Sequence, residues 1–300
     1  MFQFGSKGWN VTIYDIANQD FLDFSGYQGD YGAVMSQSGN NLKLKYVQYN
    51  GDSETKMGMI TLQDYFTNQV SGFQFIGYNP NTQKKQTVNV IAGGNNANNI
   101  VGTSGNDWII SGNGNKTVNA GKGNDLIQVG WGDLGSKGKQ IINAGAGNDE
   151  IYADGGTNTL NGGSGNDIIF VENTEKNILN GGSGNDTLEV YGKGHVLNGG
   201  TGDDILIIHS GNDNQIFGGA GKDIFHFTKE ACGSSIVNDY EVGIDIIRFD
   251  SGVSIVGSSV SQNDVTLNLS IGGTINVLGA VGKKITFENG NEKQTTRIFA

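Results

Sequence analysis

Seven aspartates, Asp107, Asp125, Asp149, Asp167, Asp186, Asp204 and Asp223, close one short word, glycine-x-glycine-x-aspartate, with Thr103 in the first place before Asp107, and each has an apolar residue two places on. One such residue would mean little, but the separations are nearly constant at 18, 24, 18, 19, 18 and 19. Glycine at the first and third places allows positive φ, so the turn can curl its carbonyls inward. The aspartate adds an anionic oxygen, and the product is an oxygen-lined cup suited to a hard divalent cation, calcium above all. The candidate ligands are the seven carboxylates with the backbone carbonyls of the turns around Gly105, Gly123, Gly147, Gly165, Gly184, Gly202 and Gly221.

The elements that must position these cups follow from the spacing. The apolar residue after each word (Ile109, Ile127, Ile151, Ile169, Leu188, Leu206, Phe225) begins a short strand facing a narrow core, and between words lies a second half-turn ending in Val118, Ile142, Leu160, Leu179, Leu197 and Phe217. Two half-turns make one coil. Coils stacked at the strand spacing of about 4.8 Å align the aspartates in one column. Neighbouring carboxylates at that spacing repel by about 1 kcal/mol in water and about 3 to 4 at an effective dielectric of 20. A divalent cation in each gap reverses the sign; about six ions would bring about +12 against a formal charge of −11. Folding and metal binding then become one event.

Composition narrows the partners. The 50 glycines and single proline, Pro80, ordered by a period, indicate tight turns rather than disorder. The net charge of −11, with no basic stripe, argues against nucleic acid. One cysteine, Cys232, excludes an internal disulfide, and three scattered histidines argue against a transition-metal site. Met1 to Gly8 carries no apolar core of signal-peptide length, and no apolar run approaches membrane-spanning length.

The expected fold is all-β: a parallel β-roll flanked by two small antiparallel β capping units. Residues 1–89 read as an N-terminal flanking unit, 90–227 as the roll, and 228–300 as a C-terminal cap. No sustained 3.6-residue period with caps appears, so almost no helix is expected. Val11 to Gly26 aligns with Ile236 to Gly252, with Asp15 opposite Asp239, Asp20 opposite Asp245 and Phe24 opposite Phe249. Two related units bracketing the array would protect its open strand edges.

The words GTSGNDWII, GGSGNDIIF, GGSGNDTLE and GGTGDDILI resemble the calcium-binding nonapeptide GGxGxDxUx of the RTX (repeats-in-toxin) family, named as a parallel β-helix repeat. The segment GKDIFHF followed by IVNDYEVGIDIIRF resembles the piece that closes such arrays near the C-terminus. The resemblance implies export by a type I secretion system that reads an uncleaved C-terminal signal. It also implies folding outside the cell and an extracellular or cell-surface location.

The chain departs from that pattern in its second half-turns, whose loops read GNGNK, DGGTN, NTEKN, GKGH and GNDNQ. Lys116, Asn158, Asn177, His195 and Asn214 or Gln215 stand where a ligand would fall, and Asp154 and Asp213 are out of position, so this edge is expected to be metal-free. Asn119, Asn143, Asn161, Asn180 and Asn198 recur before the glycines and are expected to form an amide ladder. One coil carries six extra residues within Gly130 to Lys139, displaying Trp131, which could be a carbohydrate or protein contact.

Enzyme readings lack support: HExxH, GxSxG and phosphate-loop motifs are missing, Cys232 reads as a packed small residue, and His195, His209 and His226 read as surface or edge residues of the array. The leading expectation is a secreted, non-catalytic calcium-binding roll with a surface, adhesion or secretion-module role. The alternative is an accessory polysaccharide-binding module of a larger exoenzyme, as in alginate epimerases. Ice binding is disfavoured, because the variable place just before the second glycine of the word holds a mixed row, Ser104, Lys122, Ala146, Ser164, Ser183, Thr201 and Ala220.

Overall fold

Each repeat folds as two short strands joined by two turns, one strand for each of two facing sheets. The computed structural model describes the strands lying within residues 2–79 as backbone, then residues 84–93, 97–130, 138–290 and 295–300, with side chains from Asn89 onward; no helix occurs among them. Trp131 lies outside the described residues, as do residues 14–20 and 24–26, most of the N-terminal partner in the suggested duplication.

The first sheet stacks Asp107–Ile110, Leu126–Val129, Glu150–Asp154, Ile168–Glu175, Thr187–Lys193, Ile205–Ile208, Ile224–Phe227 and Ile246–Phe249, all parallel. The second stacks Asn99–Val101, Lys116–Lys122, Gln140–Ala146, Thr159–Ser164, Ile178–Ser183, Val196–Thr201, Asn214–Ala220 and Ser234–Val237, also parallel. The chain alternates between them, giving a parallel β-roll of about eight turns. The parallel ladder runs on past Phe227.

At one end, strand Lys84–Ala92 pairs in parallel with Asp107–Ile110 and antiparallel with Ser71–Asn79. Trp9–Ile13, Ser53–Leu62, Asn41–Asn50 and Tyr31–Ser38 form a separate four-stranded sheet in that order. At the other end, Ile255–Ser261, Asp264–Leu269 and Thr274–Val277 form an antiparallel meander whose last strand joins Ser234–Val237. Lys284–Asn289 joins Ile246–Phe249 and pairs with Thr295–Ile298. Tyr240 ties this end to the last coil: its hydroxyl donates to the Asp245 carbonyl at 2.9 Å and accepts the Thr286 N–H at 2.8 Å.

The core is one file of apolar side chains from each sheet. Ile109, Ile127, Ile151, Ile169, Leu188, Leu206 and Phe225 are fully buried, as are Val118, Ile142, Leu160, Leu179 and Leu197. Burial of each such side chain contributes about 1.5–3 kcal/mol. One expectation is corrected: Ile216, in register with Leu197, occupies the core, while Phe217 pairs with Asn198 and lies on the outer face. A shift of one residue along a strand exchanges its two faces, so Phe217 falls where the asparagine ladder would continue.

Candidate metal centre

The aspartate turns require glycine twice over. Gly163 and Gly165, in the turn before Asp167, have φ of 120° and 119°, which disfavour a side chain. A Cβ on either would also run into the carbonyl oxygen of its counterpart one coil earlier, Gly145 or Gly147. Turns this closely superposed hold every aspartate in the same attitude.

All seven aspartates are buried, none more than 2% exposed, and lie in one column. Each backbone N–H donates to Oδ1 of the next aspartate: Asp107 to Asp125 at 2.8 Å, Asp125 to Asp149 at 2.7 Å, Asp149 to Asp167 at 2.8 Å, Asp167 to Asp186 at 2.7 Å, Asp186 to Asp204 at 2.7 Å and Asp204 to Asp223 at 2.9 Å. The other oxygen, Oδ2, has no hydrogen-bond partner in Asp125, Asp149, Asp167, Asp186, Asp204 and Asp223. Leaving a charged oxygen buried and unpaired costs several kcal/mol, so these six atoms ask for a cation.

The space beside them suits one. A Cβ on Gly162 would strike Asp167 Oδ2 and come within 2.7 Å of the Gly181 carbonyl oxygen. The same holds for Gly181 with Asp186 Oδ2 and the Gly199 carbonyl, and for Gly199 with Asp204 Oδ2 and the Gly218 carbonyl. Orphaned carboxylate and backbone carbonyl thus share a cradle, the donor set that calcium takes. Among the described residues no three histidine, cysteine or acidic side chains converge, so such a site draws mainly on backbone oxygen.

Burial pushes the carboxyls of Asp125, Asp167 and Asp204 up to about 7 and that of Asp223 to about 6; the N–H to Oδ1 bond opposes this and neighbouring carboxylates add to it. Asp149 and Asp186 are raised by the same burial. The column favours whatever supplies positive charge, proton or metal.

The column closes itself at both ends. Asp107 differs from the interior members: its Oδ2 accepts the Thr103 N–H at 2.5 Å and its Oδ1 accepts from Asn89 Nδ2 at 2.8 Å and Thr103 Oγ1 at 2.9 Å. Asp245 continues the column unannounced, for its Oδ1 accepts the Asp223 N–H at 3.0 Å and its Oδ2 accepts the Glu241 N–H at 2.6 Å. Asp239 accepts the N–H groups of Gly218 and Gly219 at 2.9 and 3.0 Å, closing the last turn. The signal for Asp245 was Gly243-x-Asp245-x-Ile247, a reduced form of the word, without its first glycine.

The opposite edge carries a neutral copy of the same column. Lys116, Gln140, Asn158, Asn177, His195 and Asn214 are buried at the corresponding strand starts. Backbone N–H groups donate along it, from Gln140 to Asn158 Oδ1 at 3.1 Å, Asn158 to Asn177 Oδ1 at 2.5 Å, Asn177 to His195 Nδ1 at 3.2 Å and His195 to Asn214 Oδ1 at 2.9 Å. Their second polar groups donate to turn carbonyls: Lys116 Nζ to Ala97 at 2.6 Å, Gln140 Nε2 to Gly112 at 2.9 Å, and Asn158 Nδ2 to Gly155 at 2.9 Å. Side-chain N–H groups stand where a cation would, and Gln215, half-exposed, is outside the column. Asp154 and Asp213 also lie off it.

The asparagine ladder is present on the outer face of the second sheet: Asn143, Asn161, Asn180 and Asn198 each donate from Nδ2 to Oδ1 of the preceding member at 2.6 to 2.8 Å, beginning at Asn119. A second ladder lies on the aspartate turns, where Asn106, Asn124, Asn148, Asn166, Asn185 and Asp203 accept the backbone N–H of the following coil.

The profile of the RTX calcium-binding nonapeptide repeat (four copies) matches residues 92–127, 134–169, 173–190 and 210–228. The Asp204 turn lies outside these blocks but repeats their geometry. No curated protein matches the chain. Among solved structures, extracellular lipase LipA from Serratia marcescens is similar at 18% identity over 60% of this chain, with a TM-score of 0.20. The chain spans 38% of the lipase's length. Six of the seven aspartate turns fall within the matched RTX calcium-binding nonapeptide repeats, and the chain winds them into a parallel β-roll.

Proposed function

We propose that the six interior aspartates, Asp125, Asp149, Asp167, Asp186, Asp204 and Asp223, with the turn carbonyls beside them, hold about six calcium ions along one edge, and that calcium drives the chain to fold. The observation that carries this reading is the row of six buried Oδ2 atoms without a partner. Asp107, at the head of the column, has its oxygens filled by the chain and serves as an end piece, as does Asp245.

The protein acts outside the cell or at its surface, where calcium is abundant, and reaches it by type I secretion. RTX repeat proteins are typically secreted, and among the described residues no helix is long and apolar enough to cross a membrane. The antiparallel strands after Ile246–Phe249 and the strands before Asp107 serve as caps. A non-catalytic role is supported by the use of the aspartates as a structural column and by the pairing of His209 with Glu189 and His226 with Asp250. Circular dichroism tests the folding claim: chelating calcium near neutral pH abolishes the β-sheet signal, and an unchanged spectrum contradicts it.

A further inference from the structure

The edge opposite the aspartates carries an open groove of about 510 Å³ across three successive turns, lined among others by Glu175, Tyr191, Lys193, Ser210 and Asn212. We propose that this groove binds a neutral oligosaccharide.

Several independent features converge on it. Of three non-glycine residues with positive φ among the described residues, Lys176 at 58° and Asp213 at 62° sit on its bounding turns. Strain of this kind costs about 1–3 kcal/mol per residue and clusters at functional sites. The ladder between Ile168–Glu175 and Thr187–Lys193 slips between Val171 and Thr174, next to Glu175 of the groove. The row of rings on the outer face of the first sheet, Tyr152, Phe170, Tyr191 and His209, ends here with Tyr191 stacked on His209 at 4.0 Å. His195, at the end of the middle turn, is fully buried, and its Nε2 has no hydrogen-bond partner.

The lining selects the ligand. Glu175 and Lys193 pair at 3.1 Å with both side chains more than half exposed, so the groove offers a donor and an acceptor with no net charge. A peptide strand finds no free edge, because Glu175 and Lys193 already pair with each other in the parallel ladder and the Gly192 carbonyl accepts from Asn214. A ligand that bears hydroxyls in every direction and C–H groups for an aromatic edge fits: a sugar ring.

The test uses the full, calcium-saturated chain, its fold first verified by circular dichroism, so that failure here leaves the calcium reading untouched. Cellohexaose, xylohexaose and maltohexaose are titrated by calorimetry and NMR, with polygalacturonate as the anionic comparison. At least one neutral hexasaccharide is expected to saturate, with Tyr191→Ala weakening it about tenfold and Lys193→Met at least about threefold. Lack of saturable binding by all three, tighter binding of polygalacturonate, or affinity unchanged in both variants would overturn the proposal.

Discussion

Oδ1 of Asp186 accepts the backbone N–H of Asp167 at 2.7 Å, while Oδ2 of the same carboxylate meets no donor at all. That division of labour explains why aspartate recurs: one oxygen splices consecutive coils, and the other is left for a cation. Asparagine could do the splicing alone, as Asn158, Asn177 and Asn214 do on the opposite edge.

Interior and terminal aspartates should therefore respond differently to neutralisation. Asp167→Asn keeps the splice but places an amide in the cradle, and the number of calcium ions bound per chain falls by about one. Asp245→Asn leaves the number unchanged, since both oxygens of Asp245 are already served by N–H groups. Metal analysis of the desalted proteins checks both.

Gly163→Ala is expected to cost about 3 kcal/mol or more in the calcium-bound state, combining an unfavourable φ with overlap against the Gly145 carbonyl. Thermal melting in saturating calcium measures it. Stability equal to the parent would show that the turns are not superposed as described.

The pH dependence of the calcium-stripped protein has a definite sign. The folded carboxyls of Asp125, Asp167 and Asp204 lie at about 7, above the ordinary value of 3.8. Their contribution is thus fully present below about pH 4 and is lost as pH rises through about 7. The stripped chain, without β-sheet signal near neutral pH, regains it as the pH is lowered towards about 5, and calcium affinity weakens over the same interval as protons compete. A β-sheet signal that rises with pH in the absence of calcium runs against this account.

Asn161→Ala removes two rungs of the outer ladder, those to Asn143 and Asn180. A loss of about 1–3 kcal/mol is expected, because each hydrogen bond contributes about 0.5–1.5 kcal/mol net. Calcium stoichiometry stays the same, which separates this variant from the aspartate ones.

Much of this was legible in the sequence because the repeat fixes both faces of each strand at once. The aspartate column, the core file from Ile109 to Phe225 and the ladder from Asn119 to Asn198 follow from period alone. Phe217 was misassigned because two apolar residues, Ile216 and Phe217, stand side by side, and the coil step from Leu197 brings Ile216, not Phe217, to the core. Asp245 was missed because its turn, built on Glu241, lacks the first glycine of the word. The second edge was legible in part: the period placed Lys116, Asn158, Asn177, His195 and Asn214 at the ligand position, but not Gln140 or the hydrogen bonds, because lysine, glutamine, asparagine and histidine share no sequence signature, only a common buried place.

Counting calcium ions bound per folded chain, by equilibrium dialysis or calorimetry near neutral pH, tests the central claim most directly. The six orphaned Oδ2 atoms predict about six ions. A fully folded roll that binds none, or a count near twelve implying that both edges are loaded, would contradict it.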